Sequence, residues 1–178
     1  NSLKLQVYEK IKPTIALVTP TNGARVTNNK QPITFKVTDE TNGSGIKTST
    51  VSLKIDGNTF NESSSGMVKT AITNGYQFVY TPQTALSNGD HTITINAQDN
   101  DGNAATTVTA SIKVDTVPPS LNITSPTNGW ITNNKTFTLA GTTNDATSSP
   151  VTISAKLNGT DVGSITVTNG AFSKALTG

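Results

Sequence analysis

Cysteine is absent from the sequence, which excludes a disulfide framework and a thiolate metal site. Histidine occurs once, as His91. One imidazole cannot assemble a histidine-based zinc set, and no nucleophile elbow is present to recruit it into a Ser-His-Asp triad. Charged residues make up only 13% of the chain, against ~25% in ordinary soluble domains. The net charge is +2 and the lysines are scattered, so no basic stripe with interleaved aromatics offers itself to nucleic acid. No apolar run approaches the ~18 residues of a membrane-spanning helix. Walker and dinucleotide-binding glycine motifs are missing, which removes the usual phosphate cradles. No start methionine or signal peptide opens the chain, so it reads as an interior piece of a longer protein.

Thr, Asn and Ser fill the space left by charge. Thr suits strands because its branched Cβ fits a pleated surface. Asn and Gly suit turns because they tolerate positive φ. Short strands joined by tight turns follow, and the spaced Val, Ile, Leu and Phe separate the chain from disordered sequence.

A repeat organises these strands. "TPTNGARVTNNK" (Thr19–Lys30) returns as "SPTNGWITNNK" (Ser125–Lys135). Pro13, Pro20, Asn22 and Gly23 recur as Pro119, Pro126, Asn128 and Gly129, each 106 positions later. That spacing is the size of one immunoglobulin-like sandwich. It predicts a first unit over residues 12–117 and a second over 118–178. Residues 1–11 then read as the closing strand of a preceding unit or an N-terminal extension, with Leu3–Glu9 as the strand.

Within the first unit, period-two alternation predicts seven strands. They cover Thr14–Val18, the runs around Phe35, Leu53 and Phe78, Met67–Ile72, the run Ile93–Ala97, and Val108–Val114. Asp56-Gly57, Asn74-Gly75 and Asn88-Gly89 supply turns, with Asn74-Gly75 expected as a type I′ hairpin. No window shows a helical apolar period. The second unit repeats the early strands as Leu121–Thr124 and Thr136–Ala140. Val151–Leu157 leads into Asn158-Gly159, and a hairpin over Ser164–Leu176 turns at Asn169-Gly170. Nothing in it matches "DHTITINAQDNDGN" or "TVTASIKV". The expected fold is all-β: two tandem immunoglobulin-like β-sandwiches, the second incomplete.

Three segments carry a resemblance. "LSNGDHTITINAQDNDGNAATT" and "DETNGSGIKTSTVSLKIDG" resemble conserved-looking segments of bacterial Ig-like domains of the surface-protein and adhesin type, and "DTVPPSLNITSPTNG" resembles their interdomain linker. "LAGTT" and "NGAFSKAL" make the second unit similar to Ig-like modules of extracellular glucan-degrading enzymes. The resemblance implies a β-sandwich fold and an extracellular or cell-surface setting. It does not choose a function, because such sandwiches serve many.

Candidate sites are few. In "QDNDGN", Asp99, Asp101 and Asn103 alternate as oxygen donors, a pattern a hard cation such as Ca²⁺ can use. Asp115 in the linker is the candidate fourth ligand. The competing reading is an Asn/Asp-rich turn that caps its own backbone. Trp130, in the repeated loop, is the candidate ligand-binding residue, for a sugar ring or a neighbouring domain, with packing at the unit's edge as its structural reading. Asp39-Glu40 and Asp56 stand at strand ends and read as turn residues, not a glycosidase pair. His91 reads as a strand-corner histidine. Asn42, Asn61, Asn122, Asn134 and Asn158 lie in N-x-[ST] sequons, which arise easily in a chain so rich in Asn and Thr.

The expectation is therefore a non-catalytic structural or adhesive segment of a large secreted or cell-surface bacterial protein, acting as spacer, stalk or fibre subunit. Its partners would be neighbouring Ig-like units of the same chain, copies of itself in a fibre, or a surface glycan. The alternative is an accessory, carbohydrate-binding module of an extracellular polysaccharide-degrading enzyme. Calcium is the one cofactor in view.

Overall fold

The structure, a computed structural model, describes residues 8–145 and 150–178. The strand expected over Leu3–Glu9 falls mainly on residues outside these. The chain forms two compact units, Asn1–Thr116 and Val117–Gly178.

The first unit is a two-layer sandwich. Its strands are β1 (Thr14–Thr19), β2 (Ala24–Val26), β3 (Ile33–Thr38), β4 (Ser52–Ile55), β5 (Asn58–Phe60), β6 (Met67–Ile72), β7 (Gly75–Tyr80), β8 (Gly89–Asn96) and β9 (Val108–Val114). One sheet has the order β1-β3-β7-β6 and the other β2-β9-β8-β4-β5. Alternation decides which side chains meet. In β3, Ile33, Phe35 and Val37 are buried while Thr34, Lys36 and Thr38 point outward. Phe35 pairs across the strand with Phe78 of β7, their rings stacked at 5.2 Å. Leu53, Ile55, Ile93, Ile95, Ile112 and Val114 close the core from the other sheet. Each such side chain taken out of water contributes roughly 1.5–3 kcal/mol before entropy is counted.

Two strands escaped the alternation, β2 and β5, each three residues long. The Asn74-Gly75 turn also shifts. Ile72 pairs with Gly75, so the loop is Thr73-Asn74 and Gly75 is already strand. Asn74 takes the positive φ, at 58°. A Cβ on Gly75 would lie 2.1 Å from the Val37 carbonyl oxygen, so glycine is there for close approach between β7 and β3. Type I′ geometry, expected at Asn74-Gly75, is found instead at Asp56-Gly57, Asn158-Gly159 and Asn169-Gly170, where both central residues have positive φ.

The second unit contains β10 (Ser120–Ser125), β11 (Thr136–Asn144), β12 (Lys156–Leu157), β13 (Thr160–Asp161), β14 (Val167–Thr168) and β15 (Ala171–Thr177). The sheet order is β10-β11-β15-β14, with β12-β13 as a separate ribbon. The strand expected over Val151–Leu157 is reduced to its last two residues and a bridge between Ile153 and Ile165. Ser164–Thr168 likewise pairs only at its end. Phe172 and Ile165 are buried. Leu121 and Ile123, standing where Ile15 and Leu17 stand in the first unit, are 60% and 54% exposed. Among the described residues the second layer here is only the short ribbon, so these side chains lack the facing sheet that covers their counterparts.

The repeated loop has one backbone shape in both copies. Thr19–Pro20 and Ser125–Pro126 are cis, and Gly23 and Gly129 both have φ of 79°.

Candidate functional site

Strand direction brings three separated segments to one end of the first unit. The chain enters β1 there, β3 ends there because it runs antiparallel to β1, and β8 ends there as well. Glu9 precedes β1, Asp39 and Glu40 follow β3, and Asp99 follows β8. Carboxylate oxygens of Glu9, Asp39 and Asp99 lie within 4.8 Å of one another. Asp39 is only 8% exposed and Asp99 is fully buried.

A hydrogen-bonded frame aims these groups. The Asn103 backbone N–H donates to Asp99 Oδ1 and its Nδ2 donates to Oδ2, both at 2.7 Å. Asn103 Nδ2 also reaches the Glu9 carbonyl at 3.2 Å. The Glu9 N–H donates to Asp101 Oδ2 at 2.8 Å. From the loop after β3, Ser44 N–H donates to Glu9 Oε2 and Gly45 N–H to Asp39 Oδ2, each at 2.7 Å. Asn100 Nδ2 ties that loop down through the Ser44 carbonyl, at 2.7 Å. One oxygen of Glu9 and one of Asp39 are thus fixed by backbone amides. The other oxygens, Glu9 Oε1 and Asp39 Oδ1, are buried without a partner, as is Glu40 Oε2.

The electrostatics follow from the crowding. Burial, with the facing carboxyls of Glu40 and Asp39, pushes the Glu9 carboxyl up to about 7. Burial and the Glu40 carboxyl also raise Asp39. Glu40 is lowered, first by its own backbone N–H. Burial works against ionised Asp99, but the Asn103 hydrogen bonds outweigh it and the net shift is downward. No ion pair among the described residues involves any of these groups. Carboxyl can bond to carboxyl here only by holding a proton between them. A hard cation is the other species that can satisfy the same oxygens.

Three of the four residues expected as calcium ligands, Asp99, Asp101 and Asn103, come together. Asp115 does not join them. β8 and β9 are antiparallel, with Gly89 opposite Val114 and Ile95 opposite Val108. Asp115 therefore leaves the opposite end of the sheet, about 20 Å away at ~3.3 Å per residue. Its N–H donates to the Val26 carbonyl at 2.9 Å. Glu9 supplies the outside carboxylate instead. The missed residues are Glu9, Asp39 and Glu40. Asp39-Glu40 was visible at a strand end, but only the sheet order shows that it meets Asp99.

At that opposite end, His91 Nδ1 meets Asp56 Oδ2 at 2.6 Å and Nε2 meets the Ser87 carbonyl at 2.8 Å. Both partners are acceptors, so the protonated ring, with a proton on each nitrogen, is the form that satisfies both contacts. Burial alone would lower its pKa; Asp56 and the Ser87 carbonyl outweigh burial, and the net shift is upward. The ring borders an open cleft of about 810 Å³ beside the stacked pair Phe60–Tyr80.

Trp130 is 46% exposed and tilts against Phe137, with ring centroids 6.0 Å apart. Pro126, Ile131 and Lys135 line the shallow recess around the pair.

Two sheets packed face to face in this strand order define an immunoglobulin-like sandwich, here in tandem with a second Ig-like unit. Residues 13–95 match the family model described as bacterial Ig domain, and residues 119–177 match that of glucodextranase, domain B. The two matches are consistent with a tandem of bacterial Ig-like units, a class typical of surface or extracellular proteins. No curated protein matches it. Among solved structures it is similar to the fibronectin(III)-like modules of CbhA from Clostridium thermocellum, at 20% identity and TM-score 0.36, covering 56% of this chain and 94% of that one. It is similar to dimeric latent PorU from Porphyromonas gingivalis at 20% identity and TM-score 0.49, covering 95% of this chain but only 17% of that one. The SrpA adhesin from Streptococcus sanguinis shows 19% identity and TM-score 0.37, with 62% and 60% covered. The scores are low, and the sandwich architecture stands on the strand pairing itself. Among the described residues, no helix is long and apolar enough to cross a membrane.

Proposed function

We propose that the chain is a non-catalytic, load-bearing spacer segment of a secreted or cell-surface protein, joined in series to further Ig-like units. The observation that carries this is the parallel pairing of β2 with β9, Ala24 opposite Ile112 and Val26 opposite Val114. Flanking bonds extend it. Gly23 N–H donates to the Ser111 carbonyl at 2.7 Å, Ser111 N–H donates to Asn22 Oδ1 at 2.8 Å, and Asp115 N–H closes on Val26. The chain enters the first unit at one end and leaves at the other. Tension between those points runs along the strands. It loads these hydrogen bonds in shear, together, instead of unzipping them one at a time.

Single-molecule pulling on the whole chain tests the reading. The first unit is expected to give a distinct force peak. Asp115→Pro deletes the donor to Val26 and should lower that force markedly, while thermal stability falls by only ~1 kcal/mol, the usual worth of one hydrogen bond. A force peak unchanged by Asp115→Pro would count against the role.

A second reading has its own observation, the match of residues 119–177 to glucodextranase, domain B, beside the half-exposed Trp130–Phe137 pair. It is an accessory module that docks on a glycan. A glucan-binding screen with the native chain and Trp130→Ala separates the two. Binding lost in the variant supports the accessory role, and no binding by the native chain removes it.

A further inference from the structure

We propose that Glu9, Asp39, Glu40 and Asp99 form a calcium site that fastens the segment entering the first unit to the end of its sandwich. The proposal is independent of load-bearing, since an ion can bind here whatever tension the chain carries.

The geometry suits a hard cation. Ca²⁺ takes six to eight oxygens at ~2.3–2.6 Å, so oxygens on opposite sides of one ion lie roughly 4.6–5.2 Å apart. Oxygens of Glu9, Asp39 and Asp99 stand within 4.8 Å of one another. Three oxygens of these side chains are buried without a partner: Asp39 Oδ1, on a side chain more than nine-tenths buried, Glu9 Oε1 and Glu40 Oε2. Leaving a buried acceptor unsatisfied costs about 1–3 kcal/mol, and more when it is charged. Three such oxygens on neighbouring carboxylates, with no cationic side chain paired to them among the described residues, mark a cation position. The donors are all oxygen, which favours Ca²⁺ or Mg²⁺ over zinc. Mg²⁺ holds its water shell and binds few protein carboxylates, whereas four carboxylates able to act in one- or two-oxygen fashion match Ca²⁺.

The alternating motif serves as frame. Asn103 orients Asp99, and Asp101 holds the Glu9 backbone. Gly43 completes the cradle, since a Cβ there would lie 2.7 Å from Asp39 Oδ2 and 2.9 Å from Glu9 Oε2. Only Glu9 lies outside the sheets and their loops. Without the ion, like charge repels it; with the ion, the segment from Tyr8 to Lys12 is clamped.

The test uses the whole chain, stripped with chelator and titrated with CaCl₂. Calorimetry should show one Ca²⁺ in the first unit, with Kd of ~1 mM or tighter, and a rise in that unit's Tm of about 5 °C or more at saturation. Mg²⁺ should bind at least tenfold more weakly. Trypsin cleavage after the exposed Lys10 should slow in Ca²⁺. Glu9→Gln should weaken Ca²⁺ binding at least tenfold and abolish the protection, yet raise the Tm of the metal-free chain by relieving repulsion. Because Glu9 lies outside the sheets, this variant retains the fold; Glu40→Gln provides an independent check with the same expected loss of affinity. No binding at 10 mM CaCl₂ overturns the site. Equal Mg²⁺ binding overturns its selectivity, and native-like affinity in both variants overturns the ligand set.

Discussion

Phe35 and Phe78 show how much a single residue carries here. Each is fully buried, and each sits opposite the other on paired strands. Phe35→Ala removes the ring and leaves a cavity, and should cost about 3–5 kcal/mol in denaturant unfolding of the first unit. Both residues were legible as core, because alternation places them on the inward face whatever strand they pair with. His91 was legible only as a corner residue. Its partner Asp56 is 35 positions away and arrives through the pairing of β4 with β8. Since the chain has one histidine, its ring gives a single NMR titration, with a midpoint expected above the ordinary 6.5. A raised histidine pKa stabilises the fold fully below the unfolded value. The contribution fades as pH rises through the folded value. Asp56 is lowered, despite burial, by His91 and the Thr92 N–H, so its share is present above ~3.8 and is lost as pH falls through its folded value. The stability difference between the native chain and His91→Gln should therefore be largest between about pH 4 and 6.5 and shrink on either side.

Among elements, the long alternating strands were readable and the short ones were not. β3, β8 and β9 each present several inward apolar residues, enough to reveal a period. β2 offers Ala24, Arg25 and Val26 alone, too few for any period, so its pairing with β9 had no local signal. The close seam of β7 with β3 was hidden in the same way, because glycine at position 75 serves both turns and tight strand contacts. Gly75→Ala should force β7 away from the Val37 carbonyl. A loss of about 1–3 kcal/mol is expected, measured by thermal unfolding of the first unit. A neutral result would mean the seam can widen freely.

Taken whole, the molecule is uneven. The large core belongs to the first unit, while in the second the buried hydrophobics among the described residues are Ile165 and Phe172. Stability scales with apolar area removed from water, so the second unit should yield first. Trp130 is the sole tryptophan and sits in that unit. Its fluorescence in a denaturant titration should change at a lower midpoint than the far-ultraviolet circular dichroism, which follows both units. Coincident transitions would show that the two unfold as one.

Sequence by itself determined the class of structure, because side-chain period, turn chemistry and the repeat of 106 residues are local or linear properties. A stretch such as "SPTNGWITNNK" could be matched to its earlier copy without any fold in hand. The tertiary structure alone decided which acidic residues meet. Asp99, Asp101 and Asn103 were near neighbours in the chain, but Glu9, Asp39 and Glu40 reach them only because antiparallel strands return three distant segments to one end. The same strand directions send Asp115 to the other. Turn type fixes register within a hairpin, but which strands far apart in sequence lie side by side is decided by their packing, so no local pattern shows which loops share an end.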